Sequence, residues 1–290
     1  MIADRRGSPR PGDFIELTKP RIVLMVMLTA AAGYWMAGGS VQSGWGWFNL
    51  LMGTFFVAAG TNGLNQVFER DADALMNRTM NRPLPEGRMS VAAASLFSWV
   101  MGVTGILYLT FALNPLTGLL AASTLVSYAF LYTPLKKRTS LSTLVGAVPG
   151  ALPVLGGWAA ATGGLPFMSW VLFWILFLWQ LPHFLALAWL FREDYERAGF
   201  KMMSLHDPDG TRTFLHSAVF SAALFPVSLL PAVMGLAGAW YVLGAVCLSG
   251  WLLYLSLATV KNRSRVNALR LFRFSLAYLP VLLILMGAGF

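Results

Sequence analysis

Apolar residues fall in runs of about 20, the length that carries an α-helix across a hydrocarbon core. Read between charges and turn residues, the pattern predicts nine spans, at 22–39, 47–68, 91–113, 116–134, 141–161, 167–191, 213–235, 238–260 and 270–289. The runs do not alternate apolar with polar positions over segments of about ten residues, as the strands of a membrane barrel must. An all-α, multi-pass membrane protein is therefore predicted. Composition agrees, because 57% hydrophobic against 11% charged residues leaves too little polar surface to coat a soluble protein of 290 residues.

The polar remainder is ordered too. All 21 Lys and Arg lie in segments 4–21, 69–88, 136–138, 192–212 and 261–273, and the twelve acids fall in the same segments. The opposite loops, near 40–46, 114–115, 162–166 and 236–237, carry no charge. By the positive-inside rule the charged face is cytoplasmic, which places the N-terminus inside and the C-terminus outside. Residues 1–20 read as a cytoplasmic segment with no apolar core, and Asp4, Asp13 and Glu16 argue against a transit peptide, so no cleaved signal is expected. The short N-terminus suggests a bacterial inner membrane. A single cysteine, Cys247, excludes a disulfide framework or a thiolate metal site. Without a convincing repeat, the chain reads as one domain over 1–290. Net charge of +9 partly reflects topology, and no nucleic-acid partner is expected.

Topology does not explain the acids, which contribute little to orientation yet crowd beside basic residues in the loops after the second and sixth spans. Asn65, Glu69 and Asp73 are spaced i, i+4 and i+8. If the second span stays helical past Phe68 they form one line about 12 Å long, with Asp71 pointing elsewhere. Such a row suits a hard divalent cation, and Mg²⁺ takes one or two carboxylates and completes its shell with waters and substrate phosphates. Arg78 and Arg82 follow, able to hold phosphate oxygens. The same residues also fit a solvated helix end with its own ion pairs, closed by Pro83 and Pro85.

In the sixth span Gln180 and His183 sit deep in a tryptophan-rich run, His183 roughly 13 Å before Arg192 at helical rise. An ionisable group inside a membrane is a functional candidate, although a neutral histidine bonded between helices is the plainer reading. Pro182 is expected to bend this helix. Arg192, Glu193, Asp194, Tyr195 and Lys201 then form a second mixed cluster, readable equally as a capped helix end.

Taken together, several stretches resemble the UbiA superfamily of intramembrane prenyltransferases. They are Asn65-x-x-x-Glu69-x-x-x-Asp73 with Asn77-Arg78-Thr79 and Asn81-Arg82-Pro83-Leu84, then Tyr132-Thr133-Pro134-Leu135-Lys136, then Trp179-Gln180-Leu181-Pro182-His183-Phe184 leading to Asp194-Tyr195 and Ala198-Gly199. The similarity runs from about Leu17 to the ninth span. It implies a nine-helix bundle whose central cavity opens toward the cytoplasm and toward lipid. It also implies farnesyl diphosphate and haem B as substrates, Mg²⁺ as cofactor, and haem O and diphosphate as products. Asn65, Glu69, Asp73 and Asp194 are then the expected metal ligands, and Arg78, Arg82, Lys136, Arg192 and Lys201 the diphosphate ligands. Tyr132, Trp179, Gln180 and His183 would face the cavity and haem, with His183 either an iron ligand or a proton manager. A haem A synthase or terminal-oxidase assembly proteins are the partners implied. The chain departs from the wider pattern twice: Glu69 stands where relatives often have Asp, and Leu190 stands four residues before Asp194, where many carry another Asp. A branch acting on an aromatic quinone precursor, and a haem-binding assembly factor, are the alternatives. The Trp179–Phe184 stretch and Glu69 argue against the first, and the Asn65–Asp73 row against the second.

Overall fold

A computed structural model describes residues 9–39 and 44–287, and the described residues are helical with no strand. The helices are α1 (Pro11–Thr18), α2 (Pro20–Met36), α3 (Gly44–Asp73), α4 (Val91–Ala112), α5 (Pro115–Val126), α6 (Thr133–Leu135), α7 (Ser142–Thr162), α8 (Phe167–Leu190), α9 (Arg192–Arg197), α10 (Thr211–Val227), α11 (Leu230–Val233), α12 (Ala239–Lys261) and α13 (Arg265–Gly287). Asp4, Arg5 and Arg6, residues 40–43 of the first uncharged loop and the end of the ninth span past 287 lie outside the described residues.

Seven helical stretches are long and apolar enough to cross a membrane: α4, α5 through α6, α7, α8, α10 through α11, α12 and α13. The first two expected spans correspond to α2, an apolar helix of 17 residues, and α3, which has 30 residues but is interrupted by Asn49, Asn62 and Asn65. Those amides are used. Asn49 accepts from the Tyr108 hydroxyl at 2.7 Å, and Asn62 donates to the Thr18 carbonyl at 3.0 Å. Helix α8 runs unbroken through Pro182.

The chain forms two units. The first holds the described residues up to Gly164 together with Glu193–Phe200, hence α1 to α7 and most of α9. Within it α3 packs on α4, and α2 on α7, through small residues that let backbones approach closely. A Cβ added at Gly60 of α3 would lie 2.6 Å from the Ser98 carbonyl and 2.7 Å from the Gly102 Cα, and one at Gly157 of α7 would strike the Ala30 carbonyl of α2. The second unit holds Leu165–Arg192 and Lys201 onward, with α8 packed on α10 and α13, and α12 on both of the latter. Buried hydroxyls join its helices. Ser249 bonds Ser228 at 2.8 Å and Tyr278 at 2.9 Å, Ser221 bonds Ser256 at 2.9 Å, and Tyr241 donates to the Ser228 carbonyl at 2.5 Å.

Helix α1 was not predicted from the sequence. Pro11 opens it, and Asp13 accepts from the Arg10 backbone N–H at 2.9 Å, a reversed cap that satisfies one donor at the helix start. Its last carbonyls, on Leu17 and Thr18, take the side-chain amides of Gln66 (2.8 Å) and Asn62 (3.0 Å) on α3. Lys19 then turns the chain into α2 with φ at 55°, the only positive φ at a non-glycine among the described residues. A non-glycine residue holds that conformation at a cost of about 1 kcal/mol or more, so surrounding contacts must impose it.

Gly60→Val is expected to force α3 and α4 apart and cost about 1–3 kcal/mol, as overpacking does. Thermal unfolding in detergent should show the lowered midpoint, while Gly12→Ala, whose Cβ meets open space, should leave it in place.

Candidate active site

Helix α3 does continue past Phe68, ending at Asp73, so Asn65, Glu69 and Asp73 lie along one face of a single helix and are all at most 5% exposed. Asp71 is outside that row, exposed and paired with Arg70 at 2.8 Å. Buried carboxylates require compensation, and each member of the row receives a cationic partner from a different segment. Lys19 donates from its Nζ to Asn65 Oδ1 at 2.7 Å. The Lys136 ammonium lies 2.8 Å from Glu69 Oε1. Arg82 reaches Asp73 Oδ2 at 2.7 Å, while Asp73 Oδ1 is buried with no hydrogen-bond partner.

Local backbone geometry aims these groups. Residues Ser127–Tyr132, between α5 and α6, form a π-helical turn, a distortion that recurs at functional sites. There Thr133 donates to the Tyr128 carbonyl at 2.9 Å and accepts from Asn65 Nδ2 at 3.1 Å, which ties the turn to the row. The Lys136 ammonium sits 4.4 Å from the centre of the Tyr132 ring, within cation–π range. Past α3, Thr79 donates to the Asp73 carbonyl at 2.8 Å and so holds the strand of loop that carries Arg82.

Electrostatics separates the two lysines. Burial, then Arg82, pulls the Lys19 ammonium down to about 7 against the opposing pull of Glu69 and Asp73. Burial also lowers Lys136, but Glu69, then Tyr132 and Tyr128, outweigh it and hold that lysine above its ordinary value. Lys136 is thus a fixed positive charge.

The second cluster reaches the first loop through α9. Asp194, 7% exposed, accepts from the Asn77 backbone N–H at 3.3 Å and forms an ion pair with Arg197. Arg78 donates to the Tyr195 hydroxyl at 3.0 Å. Of the expected site residues, then, Asn65, Glu69, Asp73, Arg78, Arg82, Tyr132, Lys136 and Asp194 belong to the first unit. Trp179, Gln180, His183, Arg192 and Lys201 belong to the second. There the Arg192 guanidinium stacks on Trp189 at 5.0 Å and Lys201 is exposed. His183 bonds Ser275 Oγ at 2.9 Å and stacks against the rings of Trp179 and Phe272.

Among the described residues no three His, Cys, Asp or Glu side chains are placed to hold a metal ion. The row supplies two carboxylates and an amide, and one oxygen of Asp73 lacks a partner. That donor set fits a hard cation that draws its remaining ligands from water and substrate, and it does not fit a cation caged by protein alone.

Lys19 is the residue that sequence reasoning missed. In the sequence it is one of the charges that set topology, and its place directly before Pro20, at the start of an apolar helix, is the one local signal it carries. A clasp holds its helix down: Arg88 bonds Asp13 and Glu16 of α1, the latter at 2.8 Å, together with Glu86 at 2.6 Å and the Asn81 carbonyl at 2.8 Å.

Residues 26–279, a stretch that runs through both units, match the UbiA prenyltransferase family, and the chain belongs to that family. It is an integral multi-pass membrane protein. Among its relatives, the protoheme IX farnesyltransferase of Solibacter usitatus is 43% identical over 280 residues, covering 93% of this chain and 96% of that protein. A solved structure reported for digeranylgeranylglyceryl phosphate synthase has a TM-score of 0.81 at 17% identity, covering 96% of this chain and 97% of that one. A UbiA homologue from Archaeoglobus fulgidus bound to GPP and Mg²⁺ has a TM-score of 0.65 at 15% identity, covering 94% and 99%. At those identities the two structures establish the fold.

Arg88→Ala should release α1 and leave buried Asp13 without its cation. Hydrogen–deuterium exchange should then show backbone protection over residues 12–19 falling about tenfold, with α12 unchanged.

Proposed function

We infer that this chain transfers the farnesyl group of farnesyl diphosphate to a vinyl group of haem B, with addition of water, giving haem O and diphosphate. One observation carries the reading: a buried row of two carboxylates and an amide, matched one to one by Lys19, Lys136 and Arg82, with an Asp73 oxygen left free. Acids and cations packed this densely suit a diphosphate whose charge is shared between a divalent cation and basic side chains. Family membership supports prenyl transfer, and the name of the Solibacter relative supports haem as the acceptor. The A. fulgidus homologue, bound to GPP and Mg²⁺, supports a prenyl diphosphate and a divalent cation of that kind.

In this reading Asn65, Glu69 and Asp73, aided by Asp194, would hold Mg²⁺, which would supply Lewis-acid neutralisation of the leaving diphosphate. Arg82 and Lys136 turn from their carboxylates to the diphosphate oxygens, joined by Arg78, Arg192 and Lys201. These cations stabilise the charge that develops as the allylic C–O bond breaks and its electron pair leaves with diphosphate. No protein nucleophile is needed. Tyr132, already under the Lys136 ammonium, offers its ring face to the allylic cation, and apolar walls keep water from quenching it early. A haem vinyl carbon then forms the new C–C bond. Water adds to the resulting cation and loses a proton, leaving a hydroxyethylfarnesyl side chain. Trp179, Gln180 and His183 line the haem side.

Entry from lipid follows from partition, since a fifteen-carbon tail gains roughly 0.8 kcal/mol per buried CH₂. The supporting topology is a single UbiA-type domain over 1–290 in a bacterial inner membrane, with the N-terminus cytoplasmic and the C-terminus outside. Segregation of all 21 basic residues to alternate loops supports that orientation. A haem A synthase or a terminal-oxidase assembly protein would receive the product.

Purified protein given haem B, farnesyl diphosphate and Mg²⁺ should yield a haem heavier by one farnesyl group and one water, read by mass spectrometry. Asp73→Ala and metal chelation should each abolish turnover, a loss of at least about 10³-fold, while circular dichroism keeps its helical signal. Normal turnover by Asp73→Ala would sink the assignment of the row.

A further inference from the structure

The second unit contains a histidine whose hydrogen bonding fixes more than its position. Ser275 is fully buried on α13, and its Oγ lies 2.7 Å from the Phe272 carbonyl and 2.9 Å from His183 Nδ1. A carbonyl oxygen only accepts, so the single hydroxyl proton of Ser275 is spent on Phe272. Toward the imidazole Ser275 can therefore only accept, and the proton of that bond resides on Nδ1. In the neutral ring Nε2 then carries a bare lone pair, and it meets no hydrogen-bond partner among the described residues.

The ring is also immobilised. Trp179 lies on one side at 5.9 Å between centroids and 22° between planes, Phe272 at 4.8 Å and 26°, and Phe184 meets it edge-on at 5.6 Å. Trp179 in turn donates from Nε1 to the Ser275 backbone carbonyl at 2.7 Å, a second bond that ties this stretch of α8 to α13. A part-buried imidazole with one nitrogen anchored and the other left without a hydrogen-bond partner is how proteins prepare a histidine to donate to a metal.

We propose that Ser275 is a positioning residue that holds His183 as the Nδ1–H tautomer, so that Nε2 is the ligand offered to the iron of the haem substrate. The proposal rests on the haem reading given above and deepens it. It distinguishes between the two roles that sequence left open for His183, in favour of ligation.

Nitrogen-15 NMR of protein labelled at histidine reads the tautomer without any substrate. The wild type should show a protonated Nδ1, and a protonated Nε2 would overturn the proposal. Titration with ferric haem B should then give an imidazole-ligated absorption spectrum that His183→Ala loses and added imidazole restores; an unchanged spectrum in His183→Ala overturns ligation. Ser275→Ala should mix the tautomers and weaken haem binding about tenfold, the scale on which outer-shell partners of metal-bound histidines act, leaving the KM for farnesyl diphosphate unchanged. Ser275→Thr, which keeps the hydroxyl, should restore both. Equal losses in Ser275→Ala and Ser275→Thr with the tautomer intact would mean packing alone and overturn the positioning role. Turnover in the same preparations separates the two failures: a wild type that makes no farnesylated haem defeats the reaction, whereas a wild type that turns over with Nε2 protonated defeats only Ser275.

Discussion

A carboxylate taken out of water must be given another partner, and in the first unit that requirement organises the residues around the end of α3. Glu69 and Asp73 are buried on one face of α3, where an uncompensated charge costs several kcal/mol. Their cations, with the lysine that bonds Asn65, come from three places distant in sequence: the junction of α1 and α2, the loop after α3 and the chain just past α6. The pairing therefore fastens three segments to one helix. It also leaves the two buried carboxylates of the row balanced by two basic side chains.

Much of this was legible in the sequence because it obeys simple periodicities. Apolar run length marks the membrane helices, and the spacing of Asn65, Glu69 and Asp73 places them on one face once α3 extends to Asp73, as it does. What stayed hidden depends on contacts between distant segments. Helix α1 is only eight residues long and weakly patterned, and its end is held by Asn62 and Gln66, amides that looked like interruptions in a membrane span. Lys19 looked like one more topological charge, since nothing local reveals that it reaches a residue 46 positions away. The bond that orients His183 is longer in range still, since Ser275 lies 92 residues on and serine in an apolar helix carries no signal of its own.

The two units solve the membrane's demand for internal satisfaction of polar groups in different ways. In the first, glycines let α3 meet α4 and α2 meet α7 at backbone distance. In the second, hydroxyls of Ser221, Ser228, Ser249, Ser256, Tyr241 and Tyr278 link neighbouring helices along their buried faces. Neutral hydrogen bonds of this kind contribute about 0.6 kcal/mol apiece in membranes, so their number is what gives α10, α12 and α13 a fixed register.

The π-helical turn at Ser127–Tyr132 has a consequence for how this stretch tolerates change. An α-helix advances 100° per residue, so one surplus residue in a turn sets the azimuth of everything downstream. Tyr132 and Lys136 face Glu69 because of that offset, and their bearing is thus encoded by chain length as well as by side-chain identity. Excising a single residue anywhere in the turn would swing both away from the acids even if every remaining letter were kept. A one-codon deletion there is consequently a different class of lesion from any substitution.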